Sequence, residues 1–266
     1  MVTYGTVAET EWLSPTMVRI VFDGEGLAGF EPVPFTDQYV NACFLPDGAP
    51  YGVPFDLERA RALDGAHRPR QRRYTVRAWD PERRRLTLDF VAHGEAGFAG
   101  RWAQRAEPGD RLQFLGPGGS YRPDPAAAWY LFAGDESALP AIAASIEAVP
   151  AGRRCVVRAV VDTPGHEVEL PPSAGLDLVW LHRATADDPT DLLLDAVAGL
   201  DWPPGPVDVF VHGEAAEVRA LRRHLVSARG VDRGAASISP YWRRGQTDEA
   251  WRAVKREWLA TQDAEI

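Results

Sequence analysis

Residues 121–148 read YRPDPAAAWYLFAGDESALPAIAASIEA. Pro123 and Pro125 interrupt any regular structure, Trp129–Ala133 is an unbroken apolar run, and Ser137–Ala148 returns apolar residues at helical spacing. A buried strand that turns through Gly134-Asp135-Glu136 straight into a helix opens an alternating strand–helix unit. The same alternation continues downstream. Cys155–Val161 and Leu176–His182 read as strands, Pro189–Ala198 as a helix, Val207–His212 as a strand and Ala215–Arg229 as a helix. A strand over Ser237–Tyr241 and a helix over Asp248–Thr261 close the chain. Strands separated by helices imply a parallel sheet covered on both faces.

Upstream of the prolines the rhythm is different. Val2–Thr10, Thr16–Phe22, Gln38–Leu45, Arg73–Trp79, Leu86–Val91 and Asp110–Leu115 are short and β-rich, with turns such as Leu13-Ser14-Pro15 and Glu107-Pro108-Gly109 between them. One helix, about Ala99–Arg105, interrupts them. Closely spaced short strands suggest a small antiparallel barrel. The expected division is therefore a β-barrel over 1–124 and an α/β domain over 125–266, with the boundary near Pro123–Ala126.

Composition narrows the function. The 266 residues carry a formal charge of −9, and the basic residues are arginines apart from Lys255. No basic stripe dominates, which argues against a nucleic-acid partner. Cys43 and Cys155 stand alone in apolar runs, so neither a disulfide scaffold nor a metal site is expected. The opening Met-Val-Thr-Tyr-Gly-Thr-Val has no basic or apolar leader character, and no apolar run reaches the roughly 18 residues of a membrane span, so a soluble cytoplasmic protein is expected. The sequence assigns no oligomeric state.

Four segments carry chemistry. Arg72-Arg73-Tyr74-Thr75-Val76-Arg77 lies on a strand, so Arg72, Tyr74 and Val76 share one face and combine a guanidinium with an aromatic ring. Phe90–Ala103 runs from a strand through a glycine-rich turn into a helix start, where free backbone N–H groups suit an anion. Gly134-Asp135-Glu136-Ser137 sits at the carboxyl end of the first α/β strand, the usual ligand edge of such sheets, although Asp135 and Ser137 could equally cap the helix and no G-x-G-x-x-G is present. Tyr241-Trp242-Arg243-Arg244 sets aromatics beside arginines.

In sequence order, RRYTVR, DFVxHG with GxAxRWA, GDxLxxxGPxG, AGDESALPAI, WLHR, GEAxxVRxLRxHL and YWRRG resemble the siderophore-interacting proteins, FAD-containing ferric-siderophore reductases of the ferredoxin-reductase superfamily. The resemblance spans nearly the whole chain. It implies that Arg72, Tyr74 and Thr75 hold the flavin and its phosphates, that His93, Gly97, Ala99, Arg101 and Trp102 surround the FAD diphosphate, and that Asp135, Glu136 and Ser137 form the GDET-like segment, with serine for threonine. Trp242 corresponds to the tail aromatic near the cofactor. Phe98 and Gly100 replace the usual proline and serine, leaving the backbone donors in place. Where many members place a lysine for the anionic ferric chelate this chain has Asn41, leaving Arg243, Arg244 and Lys255 as the cationic candidates. No catalytic side chain and no resident metal are implied, since electrons pass from NADH or NADPH through flavin to iron. Asp162 could bind ribose hydroxyls and Arg183 a 2′-phosphate, which leaves the donor open. A flavin oxidoreductase with another acceptor (quinone, free flavin or a biosynthetic intermediate) and a non-catalytic flavin- or siderophore-binding protein remain alternatives.

Overall fold

The computed structural model describes residues 2–92 and 97–264, with side chains through Thr261. The chain falls into two compact units, Met1–Arg122 and Pro123–Ile266.

In the first unit six strands form a closed antiparallel barrel: β1 (Thr3–Ser14), β2 (Met17–Asp23), β3 (Tyr39–Phe44), β4 (Arg70–Asp80), β5 (Arg85–Val91) and β6 (Arg111–Gly118), in the order β1-β2-β5-β4-β3-β6. Closure leaves no free sheet edge. Alternate residues point inward, so Ile20, Phe22, Val40, Ala42, Phe44, Leu86, Leu88, Phe90, Leu112 and Phe114 fill the interior. Each of the larger side chains contributes about 1.5–3 kcal/mol by leaving water. A short helix, α1 (Leu57–Arg61), is capped by the Asp56 carboxylate and has no counterpart in the sequence reading, because five residues are too few to show a helical period. Helix α2 (Phe98–Arg105) inserts Ala99 and Ala103 into the barrel core.

The second unit is a five-stranded sheet of β7 (Trp129–Asp135), β8 (Arg154–Val161), β9 (Leu176–His182), β10 (Val207–Glu214) and β11 (Ala236–Trp242), ordered β11-β10-β7-β8-β9, with every pairing parallel. All seven residues of central β7 are buried, as expected of a strand covered on both faces. Helix α3 (Leu139–Ala148) follows β7, and α4 (Leu192–Ala198) and α5 (Ala215–Arg223) pack Leu193, Val197, Val218 and Leu221 against one face of the sheet. The sequence reading began α3 at Ser137; the helix starts two residues later, because Asp135 and Ser137 form a tight turn of their own. It also ran α5 to Arg229, where the structure has a π-helical turn over His224–Ala228. Helix α6 (Asp248–Ala264) closes the chain, with Trp251 buried. Among the described residues no helix is long and apolar enough to cross a membrane.

Candidate functional site

In the barrel, the register pairs Phe44 with Arg70, Ala42 with Arg72 and Val40 with Tyr74. Those β3 residues point inward, so Arg70, Arg72 and Tyr74 are in phase on the inner face of β4, while Thr75 is buried in the opposite phase. The Tyr74 ring lies 4.2 Å from Phe90 and 6.2 Å from Phe44. Trp102 of α2 joins the same aromatic cluster, 5.7 Å from Phe44 and 6.0 Å from Phe90. The Arg72 Nη1 donates to the Gln71 carbonyl at 2.9 Å.

Gly97, immediately before helix α2, has extended backbone and no side chain with which to cap the first turn. A Cβ built there would meet nothing within 4 Å. The Arg70 guanidinium stacks 3.7 Å over the Phe98 ring, and Arg101 lies 5.3 Å from the same ring. Two cations therefore flank the first residue of a helix whose N-terminus already carries partial positive charge. The sequence reading missed Arg70. Its signal was available, since it sits two residues before Arg72 and four before Tyr74 on one strand. Ala99 is buried in the barrel core, and His93 lies outside the described residues.

Asn41 is on the outer face of β3, opposite Arg73 of β4. The Arg73 guanidinium lies 5.2 Å from the Tyr39 ring. A cation thus stands across the ladder from the position where the sequence pattern lacks one.

In the second unit the carboxyl ends of the parallel strands converge on Asp135, which is fully buried. Its Oδ1 accepts from the Ser137 N–H at 2.9 Å and from the Ser137 hydroxyl. Its Oδ2 accepts from the Glu214 N–H and the Trp242 indole N–H, both at 2.8 Å. Gly213, at φ +143°, makes this approach possible, because a Cβ there would fall 2.7 Å from Oδ2. Burial pushes the Asp135 pKa up and the Ser137 and Trp242 hydrogen bonds oppose it. With donors on both oxygens, the carboxylate is the form this site accommodates. Trp242 is thereby fixed by its indole nitrogen to the strand end.

Next to Asp135, buried Glu214 caps α5 through the Ala216 and Glu217 N–H groups and also accepts from the Arg244 N–H. Glu217 is buried as well. Its Oε1 is 3.4 Å from the Arg244 Nη2, and its Oε2 has no hydrogen-bond partner among the described residues. Burial, reinforced by Asp135, pushes the Glu217 pKa up to about 8. Lys255 donates to the Pro240 carbonyl at 2.6 Å, and Arg243 lies 5.9 Å from the Trp251 ring. Of the three cations read as substrate candidates, each already has a partner within the unit. His212, buried beside Tyr241 and Lys255, has its pKa pushed down to about 3 by burial and is neutral.

Glu136, Asp162 and Arg183 follow directly after β7, β8 and β9 and meet in one ion cluster. Arg183 is bidentate on Glu136, with Nη1 at 2.6 Å and Nη2 at 2.8 Å, and Nη1 reaches Asp162 at 2.9 Å. The sequence reading treated Asp162 and Arg183 as separate ribose and phosphate candidates; the structure makes them one group with Glu136.

The barrel residues suit a flavin dinucleotide. A helix start with no side-chain cap among the described residues, beside two guanidinium groups, offers donors to a diphosphate, and half-buried Tyr74 and Trp102 offer rings to an isoalloxazine. The profile of the siderophore-interacting FAD-binding domain matches residues 6–121, and that of the siderophore-interacting protein matches residues 127–245. Ferric vibriobactin reductase of Vibrio cholerae is 32% identical over 91% of this chain and 89% of its own length. The NADPH-dependent ferric-chelate reductase of Escherichia coli is 30% identical over 89% of this chain and 91% of its own. The crystal structure of a siderophore utilization protein from T. fusca superposes with a TM-score of 0.81 at 35% identity, covering 93% of this chain and 95% of that one.

Proposed function

The chain belongs to the siderophore-interacting protein family, and from that premise we propose that it is an FAD-dependent reductase that takes electrons from a reduced nicotinamide dinucleotide and delivers them to a ferric siderophore. The observation that carries this reading is the glycine-led start of α2, flanked by Arg70 and Arg101 next to Tyr74 and Trp102. Under this reading residues 1–124 serve the flavin and 125–266 the nucleotide.

When bound, FAD supplies acceptance of a two-electron hydride and donation of single electrons to ferric iron. The protein's own residues bind and orient. The first-turn N–H groups of α2, with Arg70, Arg72 and Arg101, would bind the diphosphate, and Tyr74 and Trp102 would border the ring system. Asp135 holds Trp242 in one orientation through its indole N–H, and Ser137 and the Gly213-Glu214 backbone hold Asp135. In the barrel unit, Arg73 beside Asn41 supplies positive charge for an anionic chelate. No side chain has to donate or accept a proton for electrons to pass. Ferrous iron, once formed, binds hard oxygen ligands more weakly and leaves the chelate.

Purified protein is expected to be yellow, to bleach anaerobically with a reduced nicotinamide dinucleotide, and to regain its colour with a ferric chelate. Protein that binds no flavin contradicts the reading. One observation favours a second reading, an acceptor other than a siderophore: Asn41 is neutral, and Arg244 and Lys255 are engaged within their own unit. Reoxidation by a quinone but by no ferric catecholate, hydroxamate or citrate would select it.

A further inference from the structure

In the second unit, β7, β8 and β9 are neighbours and run parallel, with Asp135 opposite Val160 and Val161 opposite His182. Their carboxyl ends therefore lie side by side, and each strand delivers the residue after its last into one ion cluster: Glu136, Asp162 and Arg183. Nucleotides bind open α/β sheets at this edge, and an acidic group after the second strand of the unit is where ribose hydroxyls are received. Asp162 occupies that place.

Arg183 is the cation within this cluster that could answer a 2′-phosphate, but its guanidinium is already committed. Glu136 takes both terminal nitrogens in a fork-to-fork pair, and Asp162 takes a second bond from Nη1. The pair is well shielded, with side-chain exposures of 16% for Arg183 and 12% for Glu136, whereas Asp162 is 53% exposed. Burial alone would lower the Arg183 pKa, and the Glu136 and Asp162 contacts outweigh it, so the guanidinium stays charged. Two carboxylates against one guanidinium leave the cluster at −1. Nearby, Glu167 holds His182 at 2.8 Å, so the neighbouring imidazole is occupied too. A phosphate dianion arriving here meets net negative charge and must compete for a forked, shielded partner. A ribose 2′-hydroxyl meets an exposed carboxylate able to accept its hydrogen bond.

We propose that the Glu136–Arg183–Asp162 cluster makes this protein selective for NADH over NADPH, with Asp162 receiving the ribose and Glu136 withholding Arg183 from a 2′-phosphate. The inference rests on the proposed use of a nicotinamide dinucleotide and goes one step further, to which one.

The test is isothermal calorimetry of the FAD-loaded full chain with ADP-ribose and 2′-phospho-ADP-ribose, ligands with no redox chemistry. The wild type is expected to bind ADP-ribose about tenfold or more tightly than its 2′-phosphate, the effect of one uncompensated like-charge contact. Glu136→Gln, which removes a negative charge and half the fork, is expected to narrow that ratio to about threefold or less by tightening the phosphorylated ligand. Asp162→Asn, at an exposed position, is expected to narrow it mainly by weakening ADP-ribose. Equal or tighter binding of the phosphorylated ligand by the wild type overturns the inference and leaves the reductase reading standing. Binding of neither ligand, with no bleaching by NADH or NADPH, overturns both.

Discussion

Glu217 offers a quantitative test of how the strand ends of the second unit are built. Its carboxyl group is buried, one oxygen has no partner among the described residues, and Asp135 and Glu214 add negative potential that Arg183 and Arg244 only partly offset. The pKa is pushed up from the usual carboxylate range to about 8. In the unfolded chain the same group titrates near 4.3. Between these values the folded protein holds a proton that the unfolded chain has released, so stability falls as pH rises from about 4.5 to about 8 and levels off above. At ~1.4 kcal/mol per pKa unit the full excursion is about 4–5 kcal/mol, and coupling to Asp135 and Glu214 reduces the expected value to about 2–4 kcal/mol. Glu217→Gln keeps the shape and removes the titration. The assay is urea denaturation of wild type and variant in steps from pH 5 to pH 9, monitored by tryptophan fluorescence. The variant is expected to gain about 2–4 kcal/mol on the wild type between pH 5 and pH 8.5, with carboxylates common to both cancelling. A wild-type-to-variant difference that stays flat across this range would refute the assignment of a buried neutral acid at Glu217.

Other outcomes follow from the same contacts. Asp135→Asn turns an amide toward N–H donors that now face a carboxylate oxygen, so it is expected to cost about 2–4 kcal/mol in denaturation and to change Trp242 emission. Arg70→Ala is expected to weaken FAD affinity about tenfold in equilibrium dialysis, with little change in the melting of the barrel, because Arg70 is exposed. Asn41→Lys beside Arg73 is expected to lower the KM for an anionic ferric chelate several-fold without altering reduction by the nucleotide, and the gain is expected to fade at high salt. Cys43 and Cys155, whose thiol pKa values burial pushes up to about 11 and about 12, are expected to resist iodoacetamide at pH 8 until the protein is unfolded, as counted by mass spectrometry.

Much of the fold was legible in the residues because it rests on local pattern. Period-two alternation marked the barrel strands, and the apolar run Trp129–Ala133 followed by helical spacing marked the parallel sheet. What escaped was either short or distant. Helix α1 is too brief to show a period. The start of α3 moved because Asp135, anchored by the Glu214 N–H and the Trp242 indole 79 and 107 residues away, ties Ser137 into a turn of its own. At the proposed flavin site, Arg72, Tyr74 and Trp102 could be named from the chain, whereas the proposed role of Arg70 depends on the packing of Phe98 beneath it. Glu136, Asp162 and Arg183 were all visible as residues. Their union was not, because it exists only once three strands are aligned in register. The charge opposite Asn41 is likewise a product of the β3–β4 pairing.

Electrons are expected to leave this protein for ferric iron held by a siderophore. This is tested most directly by reducing the FAD-loaded protein anaerobically with one equivalent of NADH, then mixing it with a ferric siderophore and a ferrous-specific chromophore. The flavin is expected to reoxidise and about two ferrous ions to appear per flavin, since one hydride carries two electrons and each iron accepts one. Flavin that stays reduced in front of every ferric catecholate, hydroxamate and citrate, yet reoxidises with a quinone, would contradict it.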